Sequence, residues 1–580
     1  MRANVVGLTL VLVASCYGTP HRRDPDAGSP GAGGSGGIAT AGTSGAGGVS
    51  GASGVDAGAG AALEITSPAS PAYTYHAIAI QVTVHGGTAG GVQLLKNGTS
   101  LATLNGPPYT FTWETTSEQE GSYQIVAQTV VAGQIVMSAP VTIVVDRTPP
   151  TIVSSVPASG ATNVSLTDPI VVVFSESLAP ASVTAGSVHL ALGSAAVNGN
   201  ATLAGDGKTI AVAVADRASL VLPGAMMETV ASTITDLASN AFAGASWSAS
   251  VPLWVDMGTV EGAYPQMVLD GAGKPIAVTL TASGTLQIAR YSGGTTWDTS
   301  VPTPGTAAAP GPFEGTFGIA SGMAGDLFVT WADSSTVQVA RWTGSTWDRS
   351  WTSPGSAPSG AKVFNPAVAL TTANRPVIFW QTDSGQGNTY FFQSSVSAWS
   401  GAAWNSLPGL PMGPCNSVPC QIVLDKSDYP AVEVKSNLLR WTGAAWTGPA
   451  GNSLVALALN ASNQVLSLQD TGTALQVVAL SAEGALTNYV PVLTVPTDII
   501  GPDDTPQVAV DSVGEPVVLW RNSDIHVARW TGADWDQTYG VLTPAQGKAA
   551  IALIKGSIPI VAWEDNFTSP IATHVAKSNH

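Results

Sequence analysis

From residue 63 onward the chain is built of short runs in which apolar side chains recur at every second position, such as Ile78-Ala79-Ile80-Gln81-Val82-Thr83-Val84 and Ser122-Tyr123-Gln124-Ile125-Val126-Ala127. A period of two puts one set of side chains on one face of a strand, and the Gly, Pro and Asn-Gly pairs between the runs supply turns. The pattern predicts an all-β protein of many short strands. Residues 17–62 differ: they are Gly, Ala, Ser and Thr with almost no large apolar side chain. Such a segment buries too little apolar surface to offset its ordering entropy, which predicts a disordered tether. With about 45 residues its root-mean-square reach is about 35–40 Å.

The first sixteen residues form a third pattern. Arg2 is followed by an apolar run from Val5 to Val13 and then by Ala14-Ser15-Cys16. The run is too short to span a bilayer and has the charged, apolar and small-residue zones of a secretory signal. Val13-Ala14-Ser15-Cys16 resembles a bacterial lipobox, which implies that residues 1–16 are a lipoprotein signal and that Cys16 is diacylated and becomes the new N-terminus. Tyr17 stands where inner-membrane lipoproteins commonly carry Asp, which implies the outer membrane. Anchor and tether together resemble surface lipoproteins of Gram-negative bacteria such as myxobacteria.

Two modules follow the tether. Over residues 63–147 the stretch VQLLKNGTSLATLNGPPYTFTW and the later GSYQIVAQ resemble bacterial Ig-like domains, with Tyr123 matching the family's strand F tyrosine and Trp113 in the core. The module has no Cys, so no inter-sheet disulfide forms. Asp146 to Pro150 (DRTPP) is a stiff junction, since consecutive prolines hold the chain extended. Residues 148–252 contain PASGATNVSLTDPIVVVFSESL and LAGDGKTIAVAV, which resemble a second Ig-like type found in surface-layer and adhesin chains. Both modules are expected to act as spacers. Glu176, Asp206 and Asp236 are scattered along the second, with no Asp-x-Asp-x-Asp loop to hold a metal.

Residues 253–580 repeat. Trp-[Thr/Ser]-Gly-x-x-Trp occurs at 342–347, 399–404, 441–446 and 530–535, and Tyr291 to Trp297 is a variant with one inserted residue. The second Trp recurs at 297, 347, 404, 446 and 535, at intervals of 50, 57, 42 and 89, so a degenerate unit lies between the last two, around Gln476 to Tyr489. A period of about 40–50 residues with several strands per unit is that of propeller blades. Strand A is represented by Pro265 to Asp270, strand B by Pro516 to Trp520, strand C by Gln338 to Trp342, and strand D begins at the second Trp. The four-residue C–D loop sets Trp342 opposite Trp347 and Arg341 opposite Asp348, and Arg529 with Asp536 and Arg290 with Asp298 follow suit. Cross-strand pairs of this kind contribute about 0.2–1 kcal/mol each. A seventh unit from about Thr543 to His580 has no strand D, and Leu253-Trp254-Val255-Asp256 is an orphan strand D that would close the ring. The expected fold is thus all-β: two Ig-like β-sandwiches followed by a seven-bladed β-propeller. The repeats resemble Kelch and sialidase propellers only loosely, because the leading Asp of the sialidase Asp-box is missing in every copy.

Composition narrows the chemistry. The 580 residues carry 21 Lys and Arg against 38 Asp and Glu, a net charge of −17, and only 10% are charged, which excludes a nucleic-acid binder held by phosphate contacts. Gly 64 and Pro 39 exclude a helical bundle. Fifteen of the 17 Trp lie at or after Trp254, in the repeats. In propellers the D–A and B–C loops share the usual ligand face, and here the B–C loops carry Asp333, Asp383, Asp470, Asp524 and Glu564 with Asp565, beside Trp331, Trp380, Trp520 and Trp563 at the ends of B strands. This set is the candidate rim for stacking a sugar or coordinating a cation. No His-Glu-x-x-His, Gly-x-Ser-x-Gly, Walker or dinucleotide pattern occurs, so no catalytic residue is assigned. Cys415 and Cys420, in an exported chain and without His or a further Cys nearby, predict a short loop disulfide rather than a metal site. No cofactor is expected; Ca²⁺ has no supporting motif.

The functional expectation is a monomeric, non-catalytic lipoprotein, attached to the outer membrane by its lipid, on the cell surface or periplasmic face. Its head would bind extracellular glycan or a surface protein and no nucleic acid. The alternatives are a polysaccharide hydrolase or lyase using the mouth carboxylates, and a purely structural envelope protein.

Overall fold

The structure is a computed structural model that describes residues 62–580 apart from 88, 132, 308–316, 323–324, 386–390, 416–419, 436, 450–453, 472–473, 482–483, 496–505, 523, 544–546 and 566–569. Cys16, the signal and the tether up to residue 61 lie outside the described residues, and residue 62 already opens the first strand.

In the first sandwich Ala62–Ser67, Ala77–His85 and Tyr109–Glu114 form one sheet, which faces another containing Val141–Val145, Gly121–Val131, Val92–Lys96 and Thr99–Leu104. Period-two alternation turns Ile80, Leu94, Ile125 and Ile143 inward, where all are fully buried. Trp113 is buried edge-on to Tyr123, 5.3 Å between ring centres. The Tyr123 hydroxyl donates to the Gln119 carbonyl at 2.8 Å, as a strand F corner tyrosine does. Asn97 and Gly98 have φ of 49° and 82°, the left-handed pair that a two-residue hairpin turn demands.

The second sandwich packs Ile152–Val156, Ile170–Phe174, Thr209–Val214 and Gly199–Leu203 against Ala195–Val197, Val188–Leu192, Gly224–Val230 and Ala245–Val251. Its core of Val172, Ile210, Met226 and neighbours also contains Glu228, fully buried, whose carboxyl is pushed up to about 7 by burial and drawn back only in part by Trp247. Glu176 and Asp236 are not scattered: with Asp146 they form a group whose carboxylate oxygens lie within 4.8 Å of one another. A β-bridge between Leu178 and Asp236 closes the 60-residue gap, while Asp206 stays apart, capping its own turn through the N–H groups of Lys208 and Thr209. Burial and repulsion from Asp146 and Asp236 push the Glu176 carboxyl up to about 7.

Residues 254–578 make seven sheets, each with four strands in the order A, B, C, D, to which Leu493–Thr494 and Val541–Leu542 add a short fifth strand in the fifth and sixth sheets. The inner strands are Ala263–Leu269, Phe317–Ser321, Lys362–Leu370, Ile422–Leu424, Leu454–Leu459, Gln507–Val510 and Ala549–Ile554. They surround a central channel of about 220 Å³. The seventh sheet takes its outer strand from the start of the head: Trp254–Glu261 pairs with Ala572–Ser578, so the ring is fastened by its two ends. Three channel glutamines tie one blade to the next. Gln266 donates to the Phe317 carbonyl, Gln421 accepts from the Leu457 N–H, and Gln507 both donates to the Ala549 carbonyl and accepts from the Ile551 N–H.

The repeated tryptophans work at the outer edge. Within each hairpin the two rings meet, with centres 5.4 Å apart for Trp342 and Trp347 and 5.3 Å for Trp399 and Trp404. The indole of the strand D Trp then donates backward to a carbonyl beside the outer strand of the preceding blade. The pairs are Trp297 to Met257 (2.8 Å), Trp347 to Pro302 (2.6 Å), Trp404 to Thr352 (2.7 Å), Trp446 to Leu407 (3.3 Å), Trp535 to Pro491 (2.8 Å) and Trp254 to Tyr539 (2.7 Å). The fifth blade, with Leu486–Asn488 as strand D, has no such Trp.

The second sandwich is bound to the seventh blade through the last residues of the chain. Asn579, fully buried, accepts from the Leu166 N–H and donates to the Val164 and Pro252 carbonyls. Lys577 pairs with Asp168 at 2.6 Å, Lys555 donates to the Thr167 carbonyl, and Asn163 exchanges two hydrogen bonds with the backbone of Asp256. The module is therefore a docked part of the head.

Two outcomes follow from these contacts. Asn579→Ala strands three buried backbone groups, for which a loss of about 2–4 kcal/mol is expected; calorimetry of the full chain should show the second sandwich melting apart from the propeller. Glu228 and Glu176 hold their protons in the native state up to about 7, whereas the unfolded chain releases them near 4.5. The native module then binds more protons than the unfolded one across that window and loses stability as pH rises through it. Melting curves across the window should show this decline, and Glu228→Gln should flatten it.

Candidate functional site

On the face shared by the D–A and B–C connections, the four rim tryptophans turn away from solvent. Trp331, Trp380, Trp520 and Trp563 are 6%, 5%, 3% and 8% exposed. Each fills the seam between two sheets: first and second, second and third, fifth and sixth, sixth and seventh. A methyl group on Gly305 or Gly355 would collide with the ring of Trp331 or Trp380. His526 stacks on Trp520 and His574 on Trp563, with centres 5.2 and 5.5 Å apart. The expected stacking rim is thus inter-blade core, because a flat indole at a strand end is worth more packed against the next sheet than exposed.

The mouth acids are spent largely within their own loops. Asp333 accepts from the N–H and hydroxyl of Thr336 and from the Gln338 amide. Asp383 accepts from the N–H groups of Gly385 and Phe391. Asp565 lies 3.3 Å from the His574 ring nitrogen. Asp524 and Asp470 are half-buried, and Asp524 opposes the burial that lowers the pKa of His526. Glu564 is buried, which pushes its carboxyl up, and it accepts the Tyr264 N–H across the seam where the ring closes. Among the described residues, the acids of this face supply no set of three metal-ligating groups within 4.8 Å; the Asp146, Glu176 and Asp236 set belongs to the Ig-like modules. Cys415 and Cys420 are joined by a disulfide, Cα atoms 5.9 Å apart, in the connection from the third blade into the fourth.

The opposite face is made of A–B turns and C–D hairpins, and its Arg residues keep the expected register and a structural role but take different acidic partners. Arg341 is opposite Asp348, Arg529 opposite Asp536 and Arg290 opposite Asp298, as the hairpin spacing requires. The guanidinium, however, goes elsewhere: Arg341 to Asp326 (2.8 and 2.5 Å), Arg529 to Asp511 (3.1 and 2.5 Å) and Arg440 to Asp425. The A–B acids are nearly buried, with side chains 10%, 0% and 6% exposed, and a buried carboxylate requires a cation. The strand D acids Asp348 and Asp536, half-buried, cap their own turns, through the Ser350 N–H and the Thr538 N–H respectively. A signal was present for Asp425 and Asp511, since Asp-x-x-x-x-Pro recurs at Asp270 to Pro275, Asp425 to Pro430 and Asp511 to Pro516, but Asp326 lies outside it.

Where neighbouring A–B turns meet, they leave grooves. One, between the first and second blades, has a volume of about 400 Å³ and is lined by Asp270, Arg290, Gly325, Asp326 and Thr343 among others. Another, between the fourth and fifth, has about 310 Å³ and is lined by Asp425, Lys426, Arg440, Ser462, Asn463, Gln464 and Ser481 with Val465 and Leu480. Both present hydroxyl, carboxylate and guanidinium groups, the first over turn backbone and the second, which adds the amides of Asn463 and Gln464, above a small apolar floor. Such a surface offers both donors and acceptors for hydrogen bonds.

Residues 62–127 match a family model described as bacterial Ig domain, and residues 146–250 match one described as bacterial Ig-like domain. No curated protein matches the chain. Among solved structures, the chain is similar to the BP39L lectin from Burkholderia pseudomallei at 16% identity, over 53% of this chain and 93% of that one, TM-score 0.38. It is similar to a streptogramin B lyase at 11% identity, over 56% and 94%, TM-score 0.37. It is also similar to the SapL1 lectin, solved with alpha methyl fucoside, at 13% identity, over 50% and 99%, TM-score 0.33. No helix among the described residues is long and apolar enough to cross a membrane. The chain carries two bacterial Ig-like modules and a propeller head.

Proposed function

We propose that this is a non-catalytic bacterial surface protein whose propeller head binds glycan, carried on Ig-like modules and held at the outer membrane by lipid on Cys16. The observation that supports it best is the recurrence of one polar groove, between the first and second and again between the fourth and fifth blades, on the face of the A–B turns. Repeated shallow sites that offer donors and acceptors suit a repeating sugar chain, since each contact is weak and several engage together. The Arg and Asp of each groove serve as a fixed hydrogen-bonding edge for hydroxyl groups.

A glycan array probed with the full chain tests the reading. Retention of at least one glycan class is expected, with loss of signal on Arg290→Ala or Arg440→Ala, and little change on Asp333→Asn or Asp383→Asn. Retention of no glycan defeats the proposal; retention that disappears only with the two Asp substitutions moves the site to the opposite face.

A further inference from the structure

The two grooves share a frame but differ in charge. Aligned by their A–B turns, Gly271 of the first corresponds to Lys426 of the second, and Asp326 to Gln464. The ionisable lining of the first is Asp270, Asp326 and Arg290, and Asp326 is paired with Arg341 beside the groove, so two Asp stand against two Arg and the balance is zero. That of the second is Asp425, Lys426 and Arg440, a net charge of +1 (Lys and Arg against one Asp). In a chain of net charge −17 a cationic groove is a local reversal.

The cations are also set differently. Asp425 is nearly buried and takes the N–H groups of Ser427 and Tyr429 as well as Arg440, and the Arg440 guanidinium lies 5.8 Å from the Tyr429 ring centre. Held from two sides, Arg440 is oriented before any ligand arrives, which lowers the ordering cost of binding. Lys426 is exposed at the lip and makes no ion pair with the described residues. Between them Ser462, Asn463 and Ser481 offer hydrogen bonds to hydroxyl groups.

We infer that the groove between the fourth and fifth blades takes a carboxylated sugar, a uronate, with its carboxylate toward Lys426 and Arg440 and its hydroxyls toward Ser462, Asn463 and Ser481. This rests on the glycan reading above and names the substrate class at one of its sites. The first groove, with no excess of cations, takes neutral sugar only.

Trigalacturonate and its methyl ester, which differ in charge and little in shape, provide the test. Titration calorimetry of the full chain should show the acid binding and the ester binding more weakly. Lys426→Gln should weaken the acid roughly fivefold, as for one partly screened ion pair, and leave the ester unchanged. Lys426→Glu should weaken it further, and raising the salt concentration should shrink the difference between acid and ester. Because Lys426 is exposed, neither substitution threatens the fold. Equal binding of acid and ester, acid binding that is indifferent to Lys426→Glu, or no binding of the acid each overturns the inference. Retention of neutral glycans on the array in those cases leaves the glycan reading standing.

Discussion

The hydrogen bond from each strand D indole to the preceding blade is the contact on which the head depends. Adjacent blades do not share a sheet, so their outer strands, two or three residues long in most blades, would otherwise be free edges. A Trp there does two things with one side chain. Its ring packs against an aromatic ring, the first Trp of its own hairpin in four blades, Tyr291 for Trp297 and Tyr539 for Trp254, and its N–H takes up a carbonyl of the neighbour that would have to be satisfied by water. Six of the seven blades use this device. The fifth has no such Trp; its Tyr489 hydroxyl reaches forward to the Gly514 carbonyl of the sixth blade's A–B turn, across the seam that Trp535 also holds.

Ring closure places a second constraint on the chain. Because the outermost strand of the seventh blade comes from residues 254–261, the second Ig-like module leads directly into the seam and is held there by Asn579 and Lys577. Lys555, in the A–B turn of the seventh blade, touches the same module, so it docks on the face that also carries the grooves. The mouth face, by contrast, is occupied with its own maintenance: its tryptophans fill seams, its aspartates cap loops, and Glu564 clasps the first blade. Polar groups committed to hairpins and seams in this way have little capacity left for a ligand.

Sequence and tertiary structure divided the work along a physical line. Contacts within a hairpin were readable because residue spacing alone decides them. The pairing of Trp342 with Trp347, the Asn97-Gly98 turn, the Tyr123 corner and the orphan strand at Trp254 all depend on a period of two and a loop of known length. The number of units was readable for a related reason: five hairpins carry their own strand D Trp, and the doubled interval between Trp446 and Trp535 marks the unit that lacks one. What the strand B tryptophans face, which acid neutralises Arg341, and the meeting of Asp146, Glu176 and Asp236 were decided only in three dimensions. These depend on how one sheet is rotated against the next and on which loops end at the same edge of a sandwich, and no interval along the chain encodes either. The grooves belong to that second class. Each is formed by turns on two successive blades, so its chemistry exists only once those blades have packed together.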